Sequence, residues 1–228
     1  MQEKKSPVTL ERKLAWVARK LEAHFGCPEQ PKRSRNPLNE LVRTILSQNT
    51  TDVNSGRAYR SLRREFPSWE DVLQAPIRSI AASIRCGGLA NQKSRRLRII
   101  LQWVRSRFGQ LSLNSLHKKT DNEIYNLLTP LPGIGPKTVS VLLAFALDRD
   151  VFPIDTHVHR VIRRLGLIPH RMSAEKADKE MAPVLPKGKG YSLHVNIVRL
   201  GKMICRPRNP KCSECPLNTR CIEYQEMK

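Results

Sequence analysis

The sequence predicts an all-α protein, and three observations carry that expectation. Apolar residues recur at threes and fours through most of the 228 positions, the spacing that lines one face of a helix. No convincing succession of alternating apolar and polar residues marks out strands. Glycine, proline and cap-forming residues divide the periodic stretches into lengths typical of single helices.

Taken in order, Leu10, Leu14, Val17, Leu21 and Phe25 outline a first helix, and Pro28 to Pro37 reads as a basic, proline-bearing linker. Leu38, Leu41, Val42, Ile45 and Leu46 predict a second helix. Phe66-Pro67-Ser68 starts another, and the face Ile77, Ile80, Ile84 runs until Cys86-Gly87-Gly88 interrupts it. A long helix follows over Leu97, Ile100, Leu101, Val104 and Phe108, and Gly109 ends it. Thr120-Asp121-Asn122-Glu123 has the capping-box pattern and introduces a short helix through Leu128. Val139 to Leu147 forms a further apolar helix, and no internal repeat is visible.

Charge narrows the function classes. Lysine and arginine total 41 against 20 acidic residues, a formal net charge of +21, which concentrates polyanions and makes nucleic acid the leading partner. A solvated basic surface or a membrane-binding face would use the same charge. No apolar run approaches the ~20 residues needed to span a bilayer, so no membrane partner is expected. The start, MQEKKSPVTLERK, is polar and carries acids, reading neither as a signal peptide nor as a transit peptide. A cytoplasmic, nucleoid-associated and monomeric protein is expected.

Leu131-Pro132-Gly133-Ile134-Gly135-Pro136-Lys137-Thr138 is the most informative stretch. Gly133 and Gly135 permit a tight turn with positive φ and leave backbone N–H groups unshielded. Those amides, with the positive end of the next helix, can hold a phosphate oxygen. Pro136 suits the first helical position, which puts Lys137 in the first turn. An ordinary helix–loop–helix connection is the alternative for these residues. Flanked by helices and backed by this charge, the pattern looks like a helix-hairpin-helix, a module that grips the DNA backbone without reading bases.

Of six cysteines, four crowd the C-terminal end, as Cys205, Cys212, Cys215 and Cys221, spaced C-x6-C-x2-C-x5-C. In a chain without export signals this points to a metal site. Four thiolates suit either zinc or a [4Fe–4S] cluster, and spacing alone does not choose between them.

From about Leu38 to Tyr224 the chain resembles the endonuclease III family. That family's L-P-G-[VI]-G-x-K-T hairpin is matched at Leu131 to Thr138, and its [VI]-D-T-H-V segment at Ile154-Asp155-Thr156-His157-Val158. The resemblance implies that Lys137 is the catalytic nucleophile and Asp155 the catalytic aspartate. A plain phosphate contact and a helix N-cap are the corresponding structural readings. The 18 positions from Lys137 to Asp155 suit a helix plus a loop with both side chains facing one groove. A free lysine, pKa ~10.4, is neutral in only about one molecule in 2500 at pH 7. Burial and the helix end are expected to activate Lys137.

The resemblance also implies a [4Fe–4S] cluster on the four cysteines, with Arg206, Arg208 and Lys211 presented to phosphates by the cluster loop. Leu46-Ser47-Gln48-Asn49-Thr50-Thr51-Asp52 looks like the family's first inserting loop. Its glutamine falls at Asn49 by register, with Gln48 one place earlier, so either amide could enter the DNA. Cys86-Gly87-Gly88-Leu89-Ala90-Asn91 resembles the second loop, with Leu89 as the wedge and Ala90 in place of a frequent aromatic residue.

The implied architecture is two-lobed: a six-helix barrel with the hairpin over residues 38–149, and a cluster lobe from residues 1–37 and 150–228. The implied activity is excision of damaged, oxidised pyrimidines from double-stranded DNA, with β-elimination at the abasic site. One rival is a G·T or G·U mismatch glycosylase of the same fold. Relatives of that kind often lack the lysine. A rival of another class is a non-catalytic hairpin clamp.

Overall fold

The computed structural model describes residues 7–29 and 36–227. The amino-terminal hexapeptide and residues 30–35 of the expected linker lie outside the described residues. Every regular element among the described residues is helical. In chain order they are α1 (Pro7–Phe25), α2 (Pro37–Ser47), α3 (Asp52–Glu65), α4 (Trp69–Gln74), α5 (Ile77–Ser83) and α6 (Ala90–Phe108). Then come α7 (Asp121–Leu128), α8 (Pro136–Ala146), α9 (Thr156–Arg164), α10 (Ala174–Met181), α11 (Gly190–Met203) and α12 (Ile222–Glu226). No helix among the described residues is long and apolar enough to cross a membrane.

The chain divides into two compact units, Lys32–Leu147 and the combination of Met1–Pro31 with Asp148–Lys228. The first holds α2 to α8. Leu38, Leu41, Val42, Ile45 and Leu46 turn the apolar face of α2 inward, against α3 and α8. Ile80 and its neighbour Ile84 are buried, as are Leu97, Ile100, Leu101 and Val104 of α6, on which α5 packs. Full burial of each such side chain contributes about 1.5–3 kcal/mol relative to exposure. Ile77 departs from the expected face: at the first position of α5 it is exposed.

Capping chemistry sets the helix starts. Ser68 and Asp71 form a reciprocal capping box at α4, and Trp69 donates its indole N–H to Asn39 Oδ1 at 2.9 Å. Thr120 and Glu123 do the same at α7, where the sequence pattern predicts it. Gly109 closes α6 with φ +71°.

The second unit is built on α1, α9 and α11. Leu14, Val17 and Leu21 of α1 join Val158, Val161 and Ile162 of α9 and Leu193, Ile197 and Leu200 of α11 in one core. At its edge the Glu22 carboxylate binds Lys189 Nζ at 2.9 Å and accepts from Ser192 Oγ at 2.7 Å. This ties α1 to the start of α11.

Candidate functional site

Between α7 and α8 the chain makes the expected hairpin. The Leu131 amide donates to Leu128 O at 3.0 Å and the Ile134 amide to Leu131 O at 3.1 Å, while both side chains are buried as anchors. Gly133 has φ +81°, and a Cβ there would lie 2.8 Å from Arg96 Cδ, so the turn has no room for a side chain. Gly135 differs from the expectation of positive φ: at −97° and 177° it is extended and serves as the N-cap of α8. Nothing lies within 4 Å of where its Cβ would be, which leaves this helix end approachable by an anion.

Pro136 takes the first helical position and Lys137 the second. The expectation that Lys137 is buried is corrected here: it is exposed. The reason is local, because the inward face of α8 is already filled by Thr138, Val139 and Leu142. Its side chain therefore projects to solvent from the first turn, the positive end of the helix.

Asp155 is the N-cap of α9, its Oδ1 accepting the Val158 amide at 2.7 Å. The capping reading is thus realised. The Ile154 amide, one residue earlier, donates to the carboxyl of Asp178. Burial raises that carboxyl to about 6 against the ordinary 3.8, and the Ile154 bond opposes the rise. Lys137 belongs to the Lys32–Leu147 unit and Asp155 to the other.

The two loops expected to enter DNA share a backbone property. Asn49 has φ +53° and Leu89 φ +50°, both left-handed, a conformation costing a non-glycine residue about 1–2 kcal/mol. Leu89 is half exposed and occupies the N-cap position of α6 without making a side-chain cap. Such strain, kept at an exposed leucine, is characteristic of a binding site. Gln48 behaves differently: its Nε2 donates to Gly133 O at 2.8 Å and its Oε1 accepts from Arg96 Nη1 at 3.2 Å.

Cys205, Cys212, Cys215 and Cys221 are unbridged and line one pocket with Arg164, Ile204 and Tyr224. Burial pushes the Cys215 thiol up to about 11, and burial followed by neighbouring thiolates raises Cys212 and Cys221 as well. Four thiolates at such a place require a cation among them. No three His, Cys, Asp or Glu side chains among the described residues are gathered to hold a single metal ion. Four cysteines lining one pocket are the donor set of a [4Fe–4S] cluster and equally of a single zinc, so the donors alone do not choose between them.

Two arginines absent from the sequence expectations fasten this loop. Arg160 Nε donates to Cys205 O at 3.0 Å and its Nη2 to Gly201 O at 2.8 Å. Arg164 Nη1 reaches Cys205 Sγ at 3.4 Å and Arg206 O at 2.8 Å. Their i, i+4 spacing on the helix capped by Asp155 is the signal that could have found them, but in so basic a chain it does not stand out. Arg206, Arg208 and Lys211 are exposed on the loop, with Lys211 3.2 Å from Glu214. Arg220 instead stacks over Trp16, 4.9 Å from the ring centre.

Residues 42–187 match the model of the HhH-GPD superfamily of base excision DNA repair proteins, and residues 205–221 that of the iron–sulfur binding domain of endonuclease III. The chain belongs to the HhH-GPD superfamily of base excision DNA repair proteins. Within that family, endonuclease III of Thermotoga maritima is 29% identical over 209 residues, 92% of each chain. An Arabidopsis thaliana protein is 38% identical over 181 residues, 79% of this chain and 59% of that one. The chain thus spans about three-fifths of that relative's length. A solved endonuclease III, trapped as a covalent intermediate with DNA, superposes with a TM-score of 0.81 at 24% identity, covering 95% of this chain and 98% of that one. The all-helical fold is therefore that of the endonuclease III glycosylases. Membership makes the protein a base excision DNA repair protein, and the match over residues 205–221 gives it a [4Fe–4S] cluster.

Proposed function

We propose that this chain excises oxidised pyrimidines from double-stranded DNA and then cuts the strand, with Lys137 as nucleophile and Asp155 as its electrostatic partner. The observation that carries the reading is the place of Lys137: an exposed amine at the second position of α8, directly behind the phosphate-gripping hairpin. DNA held at Gly133 to Gly135 brings its sugars to that amine.

The Lys137 lone pair attacks the sugar C1′ as the C1′–N bond breaks, and the base leaves with the bonding electrons and takes a proton. Ring opening gives a protonated imine. Loss of a C2′ proton then expels the 3′ phosphate, completing β-elimination. The Asp155 carboxylate, positioned by the Val158 amide, stabilises the positive charge developing on the sugar.

Cys205, Cys212, Cys215 and Cys221 hold the cluster in this reading, and the cluster's contribution is to fix the loop that carries Arg206 and Arg208. The protein acts as a monomer, in association with DNA. A second reading, from the same fold, is a glycosylase that takes thymine or uracil opposite guanine, and Ala90, small where an aromatic residue is frequent, reshapes the base pocket on which that choice turns.

A duplex panel tests the choice, each carrying one oxidised pyrimidine, one G·T or one G·U pair. Release of oxidised bases with a 3′ unsaturated sugar end is expected. Release only from the mismatches would establish the second reading, and binding without release would leave a clamp.

A further inference from the structure

Helix α6 sends two cationic side chains, one turn apart, back toward loops that the chemistry uses. Lys93 is almost fully buried, and its Nζ donates to Leu46 O and to Gly87 O, each at 2.8 Å. Burial, with the charge of Arg96 a lesser cause, holds its ammonium below the usual lysine value. The first carbonyl lies at the end of α2, two residues before Gln48. The second lies in the short turn Arg85–Gly87, two residues before Leu89. One buried cation thus pins the roots of both insertion loops, at the carbonyl ends of their helical segments where positive charge is favoured.

Arg96 completes the arrangement. Its aliphatic stem packs on Gly133, where a Cβ would come within 2.8 Å of Cδ, and its Nη1 donates to Gln48 Oε1 at 3.2 Å. Gln48 passes the connection on by donating Nε2 to Gly133 O at 2.8 Å. Donor and acceptor of this carboxamide are therefore both engaged inside the unit. Asn49, left-handed at φ +53°, follows Gln48, which is itself the extended C-cap of α2.

We infer that Gln48 and Arg96 form a latch, backed by Lys93, that locks the insertion loop carrying Asn49 to the phosphate-gripping hairpin. The inference rests on the proposed reading of hairpin and loops. Gln48 acts as a positioning residue through Gly133, and the amide that fills the gap left by an extruded base is that of Asn49. Phosphate capture by the hairpin and entry into the stack are then coupled, because a hairpin seated on DNA fixes the register at which Asn49 enters.

The test uses the full chain as wild type, Gln48→Ala, Arg96→Met, the double variant, Arg96→Lys and Asn49→Ala. Each is titrated with undamaged duplex and with duplexes holding a tetrahydrofuran abasic analogue opposite each of the four bases. Gln48→Ala and Arg96→Met are each expected to weaken every duplex about tenfold, the effect of losing an internal hydrogen bond to a charged group. The double variant is expected to lose little more than the worse single one, since the two side chains serve one connection. Arg96→Lys keeps a charged donor and is expected to recover most of the loss, which a merely misfolded variant would not do. Asn49→Ala should compress the spread of affinities across the four opposite bases, while Gln48→Ala preserves that spread.

A Gln48→Ala protein that loses opposite-base preference but binds undamaged duplex like wild type would overturn the latch. Strictly multiplicative losses in the double variant would also overturn it. A wild type that treats abasic and undamaged duplexes alike would instead refute the proposed function, and the latch would then stand or fall on the coupling measured with undamaged duplex.

Discussion

Arg164 reaches from α9 to the first cysteine of the cluster loop: its Nη1 lies 3.4 Å from Cys205 Sγ while its Nε lies 2.7 Å from Glu223 Oε1. The same helix is capped by Asp155. One rigid element therefore carries the proposed catalytic carboxylate at its start and a clamp on the cluster loop at its end.

The first prediction concerns that clamp. Partners of metal ligands commonly alter metal affinity by about 10- to 100-fold, so Arg164→Met should speed cluster loss to a chelator by a comparable factor. Bleaching of the broad absorption near about 400 nm, which arises from thiolate-to-iron charge transfer, is the measurement. Cys212→Ser removes a proposed ligand outright and should weaken DNA binding more than it slows chemistry on bound DNA. Arg164→Met retaining iron as wild type does would remove the arginine from this role.

Lys137 and Asp155 give separable outcomes. Borohydride should trap the wild type on an abasic duplex, and Lys137→Gln should abolish both trapping and base release while damaged duplex still binds. Asparagine caps helices about as well as aspartate, so Asp155→Asn should keep α9 intact and its thermal midpoint near wild type. Loss of the charge should slow base release by about 100-fold, with a smaller effect on a preformed abasic site. Unchanged base release would reduce Asp155 to a cap.

Leu89 sets stability against function. Its side chain is half exposed and its backbone left-handed, so Leu89→Gly removes little packing and relieves strain. A gain of about 1 kcal/mol in unfolding free energy is expected, together with impaired base extrusion, read by fluorescence of 2-aminopurine placed beside the lesion. Equal losses in extrusion and in binding to undamaged duplex would argue against a wedge.

Salt dependence reports the basic surface. With a net charge of +21, several phosphate contacts are expected, each adding a slope of about −0.9 to log K against log salt. Arg206→Ala and Arg208→Ala should each flatten the slope by about one contact. A flat wild-type dependence would mean that the charge serves solvation alone.

Asp178 predicts a pH effect of unusual sign for a carboxyl. Its folded value, about 6, lies above the ordinary 3.8, so between these values the folded state binds more protons than the unfolded one. Its contribution to stability is present below about pH 4 and is lost as pH rises through about 6, by at most about 3 kcal/mol. Asp178→Asn should therefore raise the thermal midpoint at pH 7.5 and leave it nearly unchanged at pH 4. Equal shifts at both pH values would show that the carboxyl titrates normally.

Much of this protein was legible before any coordinates. The all-α class follows from the spacing of residues such as Leu38, Leu41, Val42 and Ile45, because a period of 3.6 can bury one face only as a helix. The caps at Thr120 and Glu123 were readable for the same reason, since capping is a local bond over three residues. The hairpin, the lysine behind it and the cysteine spacing are likewise contiguous.

Contacts across long separations were not legible. The bond from Gln48 to Gly133 spans 85 positions and that from Arg164 to Cys205 spans 41, and nothing local distinguishes Arg96 or Arg164 among 41 basic residues. Tertiary packing also decided exposure: Lys137, expected to be buried, stands outside because Thr138, Val139 and Leu142 take the inward face of α8. Sequence by itself determined the elements and the chemistry they carry, since both rest on neighbours along the chain. Which amide is latched, which lysine is buried and which arginine holds the cluster loop were decided only by the tertiary structure, where charge and carbonyl meet across helices.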